Sequence, residues 1–185
     1  MNAKDLVGKK IIDKQARDLA KIAEITFNIK TFKIINLYGS TGNPLSKKYY
    51  EIPVNAILAV GDYIQIADTL EELSDKVLDK IPEKEEQTAK VSNLMGKTML
   101  DTEGNVVGKV SNVDIDFEKF EINCLELTCS TSSFGKTITK KIGQTDVSSI
   151  GDYIIINKDS VESEEEDENE KEEEEKKETV NVNIE

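Results

Sequence analysis

The spacing of apolar and polar positions along this chain is mostly that of short strands. From Glu121 to Cys129 the residues Leu125, Leu127 and Cys129 alternate with Glu126 and Thr128, the period-two pattern of a half-buried strand. Ahead of it, Thr98–Asp101 leads through the turn Thr102-Glu103-Gly104-Asn105 to a second strand, Val106–Ile115. The turn Asp116-Phe117-Glu118-Lys119 then opens the third. A Ser-rich loop at Ser130–Gly135, a strand ending near Ile142 and a closing strand at Tyr153–Ile156 complete the unit. Five or six strands in about 63 residues predict a small barrel that removes its exposed edges by closure.

The same order occurs earlier in the chain. Leu6-Val7-Gly8-Lys9-Lys10-Ile11-Ile12-Asp13 lies over Leu94-Met95-Gly96-Lys97-Thr98-Met99-Leu100-Asp101 at an offset of 88. The offset holds through Lys21/Lys109, Ile25/Val113, Asn28/Asp116, Phe32/Phe120, Ile34/Ile122 and Leu37/Leu125. A two-residue insertion then makes it 90. Gly61-Asp62-Tyr63-Ile64-Gln65-Ile66 falls on Gly151-Asp152-Tyr153-Ile154-Ile155-Ile156. Order, spacing and both end motifs agree, so the chain is an internal duplication. Copy one spans residues 1–66, with a Gly-containing loop at Gly39–Asn43, and copy two spans 94–157. A unit this short buries a marginal core alone, which predicts that the two barrels pack together as a pseudo-dimer. The fold class expected is therefore mainly all-β.

Between the copies, residues 67–93 read as a helical linker. Thr69-Leu70-Glu71-Glu72 fits a capping box. Leu70, Leu73, Val77 and Ile81 mark one helical face and Pro82 stops it; a connecting helix lying on a barrel explains this better than a partner-binding helix. Residues 83–93 read as plain linker. Residues 158–185 form a tail expected to be disordered: from Lys158 to Glu178 it has 13 acidic and 4 basic residues. It ends in Val180-Asn181-Val182-Asn183-Ile184, which alternates like a strand. Val180, Val182 and Ile184 are thus candidates for adding a strand to a partner's sheet, against the plainer reading of an inert end.

Charge changes this picture only by region. The net −13 belongs largely to the tail, while residues 1–66 carry 10 basic and 6 acidic side chains. That excess is far below the basic stripe of a nucleic-acid-binding domain, and the single arginine, Arg17, argues against base reading. The absence of histidine excludes histidine-dependent nucleophile pairs, general bases and metal sites. Cys124 and Cys129 are too few for a disulfide scaffold and suit a reducing compartment. Their odd spacing puts them on opposite faces of one strand, as small buried apolar groups. The start of the sequence lacks an apolar leader segment, and the longest apolar run, Ala56–Val60, is far too short to cross a bilayer. A cytoplasmic protein is expected.

Candidate chemistry fails on inspection. Gly96-Lys97-Thr98 and Gly135-Lys136-Thr137 resemble the end of a phosphate-binding loop, but the required upstream glycine is replaced by Val91 and Ser130. Asp114, Asp116 and Glu118 could suggest a hard-cation site. Copy one has Thr26, Asn28 and Lys30 there, so a turn-favouring Asp or Asn explains both copies more simply. No catalytic residue, metal or cofactor is expected. Lys47, Lys48, Tyr49 and Tyr50 form the one basic–aromatic cluster, suited to RNA or to a protein hot spot; inward packing of alternate residues is the plainer explanation.

The segments Leu-x-Gly-Lys-x-x-x-Asp, Gly108-Lys109-Val110-x-x-Val113-Asp114-Ile115-Asp116 and Val147-Ser148-Ser149-Ile150-Gly151-Asp152-Tyr153-Ile154-Ile155-Ile156 resemble the PRC-barrel family. The resemblance covers about 6–66 and 94–156. Copy one is degenerate: Ala20 stands for Gly108, and Lys14-Gln15-Ala16-Arg17-Asp18 replaces the Asp/Gly turn. What the resemblance implies is a six-stranded barrel serving as a non-enzymatic adaptor between proteins. The tandem arrangement and composition resemble those of archaeal members, of methanogen type, some linked to cell division through the membrane anchor of the FtsZ ring. The alternative is an RNA- or ribosome-associated maturation factor of the RimM kind. A homodimer is compatible with either.

Overall fold

The computed structural model describes residues 1–43, 45–74, 76–83, 86–130 and 137–157. Copy one contains α1 (Ala3–Leu6), β1 (Lys10–Ile12), β2 (Asp18–Asn28), β3 (Ile34–Thr41), β4 (Lys48–Pro53), β5 (Ile57–Val60) and β6 (Ile64–Ile66). Between the copies lie α2 (Leu70–Ser74), β7 (Val77–Leu78) and β8 (Thr88–Lys90). Copy two contains β9 (Thr98–Leu100), β10 (Val106–Asp116), β11 (Glu121–Ser130), β12 (Thr137–Ile142), β13 (Val147–Ile150) and β14 (Ile154–Ile156).

The strand orders β5-β6-β1-β2-β3-β4 and β13-β14-β9-β10-β11-β12 are the same. All pairs within a copy are antiparallel except β1 with β6 and β9 with β14. The long strands bend at matched irregularities: the register of β2 shifts between Ile22 and Glu24, and that of β10 between Val110 and Asn112. An extra residue sharpens local twist, which curls each six-stranded sheet into a barrel unit. A 3-10 turn, Val54–Ala56 or Gln144–Asp146, joins the two ends of the strand order. Ile11, Ile25, Leu37, Ile52 and Ile64 fill one barrel, and their counterparts Met99, Val113, Leu125, Ile142 and Ile154 fill the other. Each such side chain contributes about 1.5–3 kcal/mol by burial.

The copies pack through exchanged segments. Asn2 bridges to Asp114 on β10, and Ile115 N–H donates to the carbonyl of Met1 at 2.9 Å. Reciprocally β8, which leads into copy two, pairs with β2 through Thr26–Lys90 and Phe27–Ala89. Subtracting 88 from Lys90 gives Asn2 and adding 88 to Thr26 gives Asp114, so each copy lends its leading segment to the other's longest strand. At the centre of this relation Ile34 N–H donates to Phe120 O and Ile122 N–H to Phe32 O, both at 2.8 Å. Lys33 also pairs with its own counterpart, Glu121. Such reciprocity defines an isologous interface, here built within one chain.

Phe32 and Phe120 lie at φ 56° and 50°, the left-handed region that bulky residues avoid. Both make an edge-to-face aromatic contact, Phe32 with Phe27 at 6.0 Å and Phe120 with Phe117 at 6.1 Å. Their carbonyls accept the hydrogen bonds across the pseudo-dyad, which offsets the backbone strain.

The fold also corrects the sequence reading in places. The helix expected from Thr69 to Pro82 stops at Ser74, and Val77 enters β7, which pairs with β4. Its capping box is present: Thr69 N–H donates to Glu72 Oε2 at 2.7 Å and Glu72 N–H to Thr69 Oγ1 at 3.2 Å. Residues 88–93, read as linker, form β8 and a 3-10 turn. Gly39, read as a loop residue, lies within β3. Cys124 is buried and Cys129 is half-buried, and the two are not joined in a disulfide. The acidic tail, with Val180, Val182 and Ile184, lies outside the described residues.

Candidate interaction surfaces

The two end motifs of each copy meet in space. Lys9 follows Gly8, whose φ of 88° turns the chain out of α1; its ammonium donates to the carbonyl of Gly61 at 2.6 Å. Lys97 does the same to Gly151 at 2.6 Å. Gly61 N–H in turn donates to Tyr63 O, and Gly151 N–H to Tyr153 O. Each barrel thus carries a lysine-braced Gly-Asp-Tyr turn. The tyrosines point outward, 50% exposed at Tyr63 and 56% at Tyr153, beside the exposed Asp62 and Asp152. Aromatic side chains carry much apolar area at low entropic cost, a property of interface anchors. These tyrosines were not candidates in the sequence reading. Their signal was the Gly-Asp-Tyr repeat itself, which had served only to establish the duplication.

The buried carboxylates act as backbone clamps. Asp13 Oδ1 accepts from Gln15 N and Arg17 N, and Asp101 Oδ1 from Glu103 N and Asn105 N, all at 2.8–2.9 Å. Burial pushes the Asp13 carboxyl up. Hydrogen bonds from Arg17, Gln15 and Leu70 outweigh that and hold it at about 2. Arg17 also forks onto Glu71 of α2 through both terminal nitrogens. These bonds bring Glu71 down to about 2 and raise Arg17 further. Lys14 reaches Glu72 at 3.3 Å, so the degenerate turn of copy one is the seat of the linker helix. Glu24 accepts from Ile25 N at 2.9 Å and Ser92 N at 3.2 Å, and from the Ser92 hydroxyl, joining β2 to copy two.

The acidic group on β10 is also structural. Asp116 Oδ1 accepts from Glu118 N and Lys119 N, as Asn28 Oδ1 accepts from Lys30 N and Thr31 N. Asp114 is held below its ordinary range first by a hydrogen bond from the amino group of Met1, at 2.8 Å. Burial raises the Cys124 thiol. Among the described residues no group of three or more acidic or thiol side chains is placed to hold a metal ion. Gly96-Lys97-Thr98 serves the braced turn, while Gly135 and Lys136 lie outside the described residues.

The basic–aromatic cluster is divided. Tyr50 points into the core, Tyr49 is half-buried opposite Leu78 of β7, and Lys48 pairs with Asp79. Lys47 is exposed and lines a shallow groove with Lys10, Asp18, Lys21 and Ser40; Lys10 there is bound to Asp18 at 2.9 Å. A separate cleft of about 150 Å³ lies between β3, β4 and β8. In it Glu51 accepts from the Tyr38 hydroxyl at 2.7 Å and from Asn36 at 2.6 Å. No helix among the described residues is long and apolar enough to cross a membrane, which says nothing of strands.

Two barrels of one topology, joined by exchanged segments and each marked by a braced tyrosine turn, define a tandem six-stranded barrel protein. The family model for the PRC-barrel domain matches residues 1–73 and 86–162, and the chain belongs to that family. The matched spans begin at residues 1 and 86, so each takes in the leading segment, Asn2 or β8, that its copy lends to the other. No curated protein matches the chain.

Proposed function

We propose that the protein is a non-enzymatic adaptor between proteins, working at the archaeal division site with the membrane anchor of the FtsZ ring as its partner. The observation that carries the reading is the pair of lysine-braced turns presenting Tyr63 and Tyr153 at equivalent places on two barrels. Membership in a family of interaction modules supports it, and the tandem archaeal resemblance is what points to cell division. The role of Asp13, Asp101, Glu24 and Asp116 as clamps accounts for these carboxylates without chemistry.

The test is affinity capture from archaeal lysate at moderate salt, with and without nuclease, comparing the native chain with Tyr63→Ser, Tyr153→Ser and the double variant. Division-ring components retained after nuclease and lost from the double variant support the reading. Ribosomal proteins that disappear with nuclease, and fall steeply with salt, would instead favour a RimM-like role for Lys47 and its groove.

A further inference from the structure

The outward faces of the two barrels carry different chemistry along one matched row. In copy one the register sets Lys10 beside Lys21, Lys21 beside Ser40 and Ser40 beside Tyr49. Ile11 pairs in parallel with Ile64, so Lys10 and Tyr63, one residue earlier on each side, are neighbours too. Ile11, Ile64 and Tyr50 are buried in the barrel, and strand alternation turns the residues beside them outward. A band Tyr63–Lys10–Lys21–Ser40–Tyr49 thus runs from the braced turn across β1, β2, β3 and β4, along the groove that Lys47 also lines. The matched band of copy two is Tyr153–Thr98–Lys109–Thr128–Thr139. It keeps the tyrosine of the turn and one lysine; threonines stand for the other lysine and the other tyrosine.

From this contrast we propose that the copy-one band binds an acidic segment of the adaptor's partner protein, and that the copy-two band does not. The inference rests on the adaptor reading above and names the chemistry that one of its two faces takes. Lys10, Lys21 and Lys47 are all exposed. Lys10 shares its charge with Asp18 at 2.9 Å, while Lys21 and Lys47 enter no ion pair among the described residues. The band is therefore left with positive charge that an acidic segment complements. Tyr63 beside it is 50% exposed and adds apolar contact of the kind that anchors interfaces. Geometry suits an extended segment. Alternate side chains along one lie about 7 Å apart, and neighbouring strands beneath it about 4.8 Å apart. Flexible lysine stems span the difference, so carboxylates at alternate positions meet the lysines in turn. Nucleic acid suits the band less well. These lysines would neutralise about three phosphates at most, and the single arginine is already engaged by Asp13 and Glu71.

Fluorescence anisotropy of a short dye-labelled Glu-Ser repeat peptide, titrated with the full chain, tests it. Lys10→Glu combined with Lys21→Glu should weaken binding on the order of tenfold, since each exposed pair contributes a few-fold and reversal adds repulsion. Lys10→Arg combined with Lys21→Arg should retain binding, which separates lost charge from a lost fold. Lys109→Glu on copy two should change the affinity by less than about twofold. Four results would overturn the proposal: no binding by the native chain; a loss from Lys109→Glu as large as from the copy-one reversal; tighter binding of an oligothymidylate of equal charge, which gives the band to nucleic acid; or self-association of the native chain that the copy-one reversal abolishes, which gives it to a second copy. Affinity capture with the same variants separates this claim from the adaptor reading. Partners lost with Tyr63→Ser and Tyr153→Ser but kept by the copy-one reversal would leave the adaptor standing and overturn the acidic segment. A peptide bound through Lys10 and Lys21, with no protein captured, would support the chemistry of the band and overturn the adaptor.

Discussion

Copies one and two solve the same packing problem with the bulk on opposite strands. In copy two Gly108 on β10 faces Leu127 on β11; a Cβ on Gly108 would lie 2.5 Å from the Thr128 carbonyl and 2.8 Å from Leu127 Cδ1. In copy one the corresponding residues are Ala20 and Gly39, and a Cβ on Gly39 would meet Ile11 Cδ1 at 2.8 Å and Ala20 Cβ at 2.9 Å. The loss of the glycine in β2 is thus matched by a new glycine in β3. A departure that reads as decay when one strand is considered alone is compensation when the pair is considered. The turn after β1 shows the same thing: copy one loses the Asp/Gly pattern but gains Arg17, which ties Asp13 to Glu71 of α2. Divergence has turned one copy toward the linker while leaving its barrel intact.

The comparison can be broken or sharpened by substitution. The largest effect should come from the matched core leucines. Leu37→Ala and Leu125→Ala should each cost about 2–5 kcal/mol, and by similar amounts, since both are fully buried; urea titration measures both. Next, Gly108→Ala should destabilise by about 1–3 kcal/mol, because the Thr128 carbonyl is backbone and cannot turn aside. Gly39→Leu should also be destabilising by itself. Adding Ala20→Gly should recover part of that loss, a coupling that a double-mutant cycle reads directly.

A smaller effect belongs to the Asp13 clamp. Its carboxyl sits at about 2 in the folded chain, below the ordinary value near 3.9. The charged form therefore favours folding above about pH 4, and that contribution is lost as pH falls toward 2. Asp13→Asn should flatten the fall in thermal stability across this window. Smallest of all, Lys33→Ala at the exposed pseudo-dyad pair should change stability by no more than about 1 kcal/mol.

Much of this fold was legible in the sequence, because alternation and a fixed offset are local properties. Leu125, Leu127 and Cys129 marked β11 as a strand, and the Leu-x-Gly-Lys and Gly-Asp-Tyr motifs marked both copies. What escaped notice depends on distant partners. Val77 fits a helical face by spacing, yet it is drawn into β7 by the open edge of β4. Thr88–Lys90 has no pattern of its own and becomes a strand only because β2 is beside it. Gly39 looked like a loop glycine because its reason, Ala20 across the sheet, lies 19 residues away. The tyrosine turns were visible as a motif, but their exposure and lysine brace exist only in three dimensions. Of the basic–aromatic cluster, composition could not show that Tyr50 faces inward or that Lys48 meets Asp79.

The claim on which the rest depends is that the exchanged leading segments join two divergent copies into one body. Residue-resolved urea unfolding, followed at the amides of Leu37 in copy one and Leu125 in copy two, tests it most directly. The account predicts one midpoint and one slope at both positions, with Phe32→Ala lowering both together. Two separated transitions, with Phe32→Ala moving only the first copy, would contradict it and leave two independent barrels on a tether.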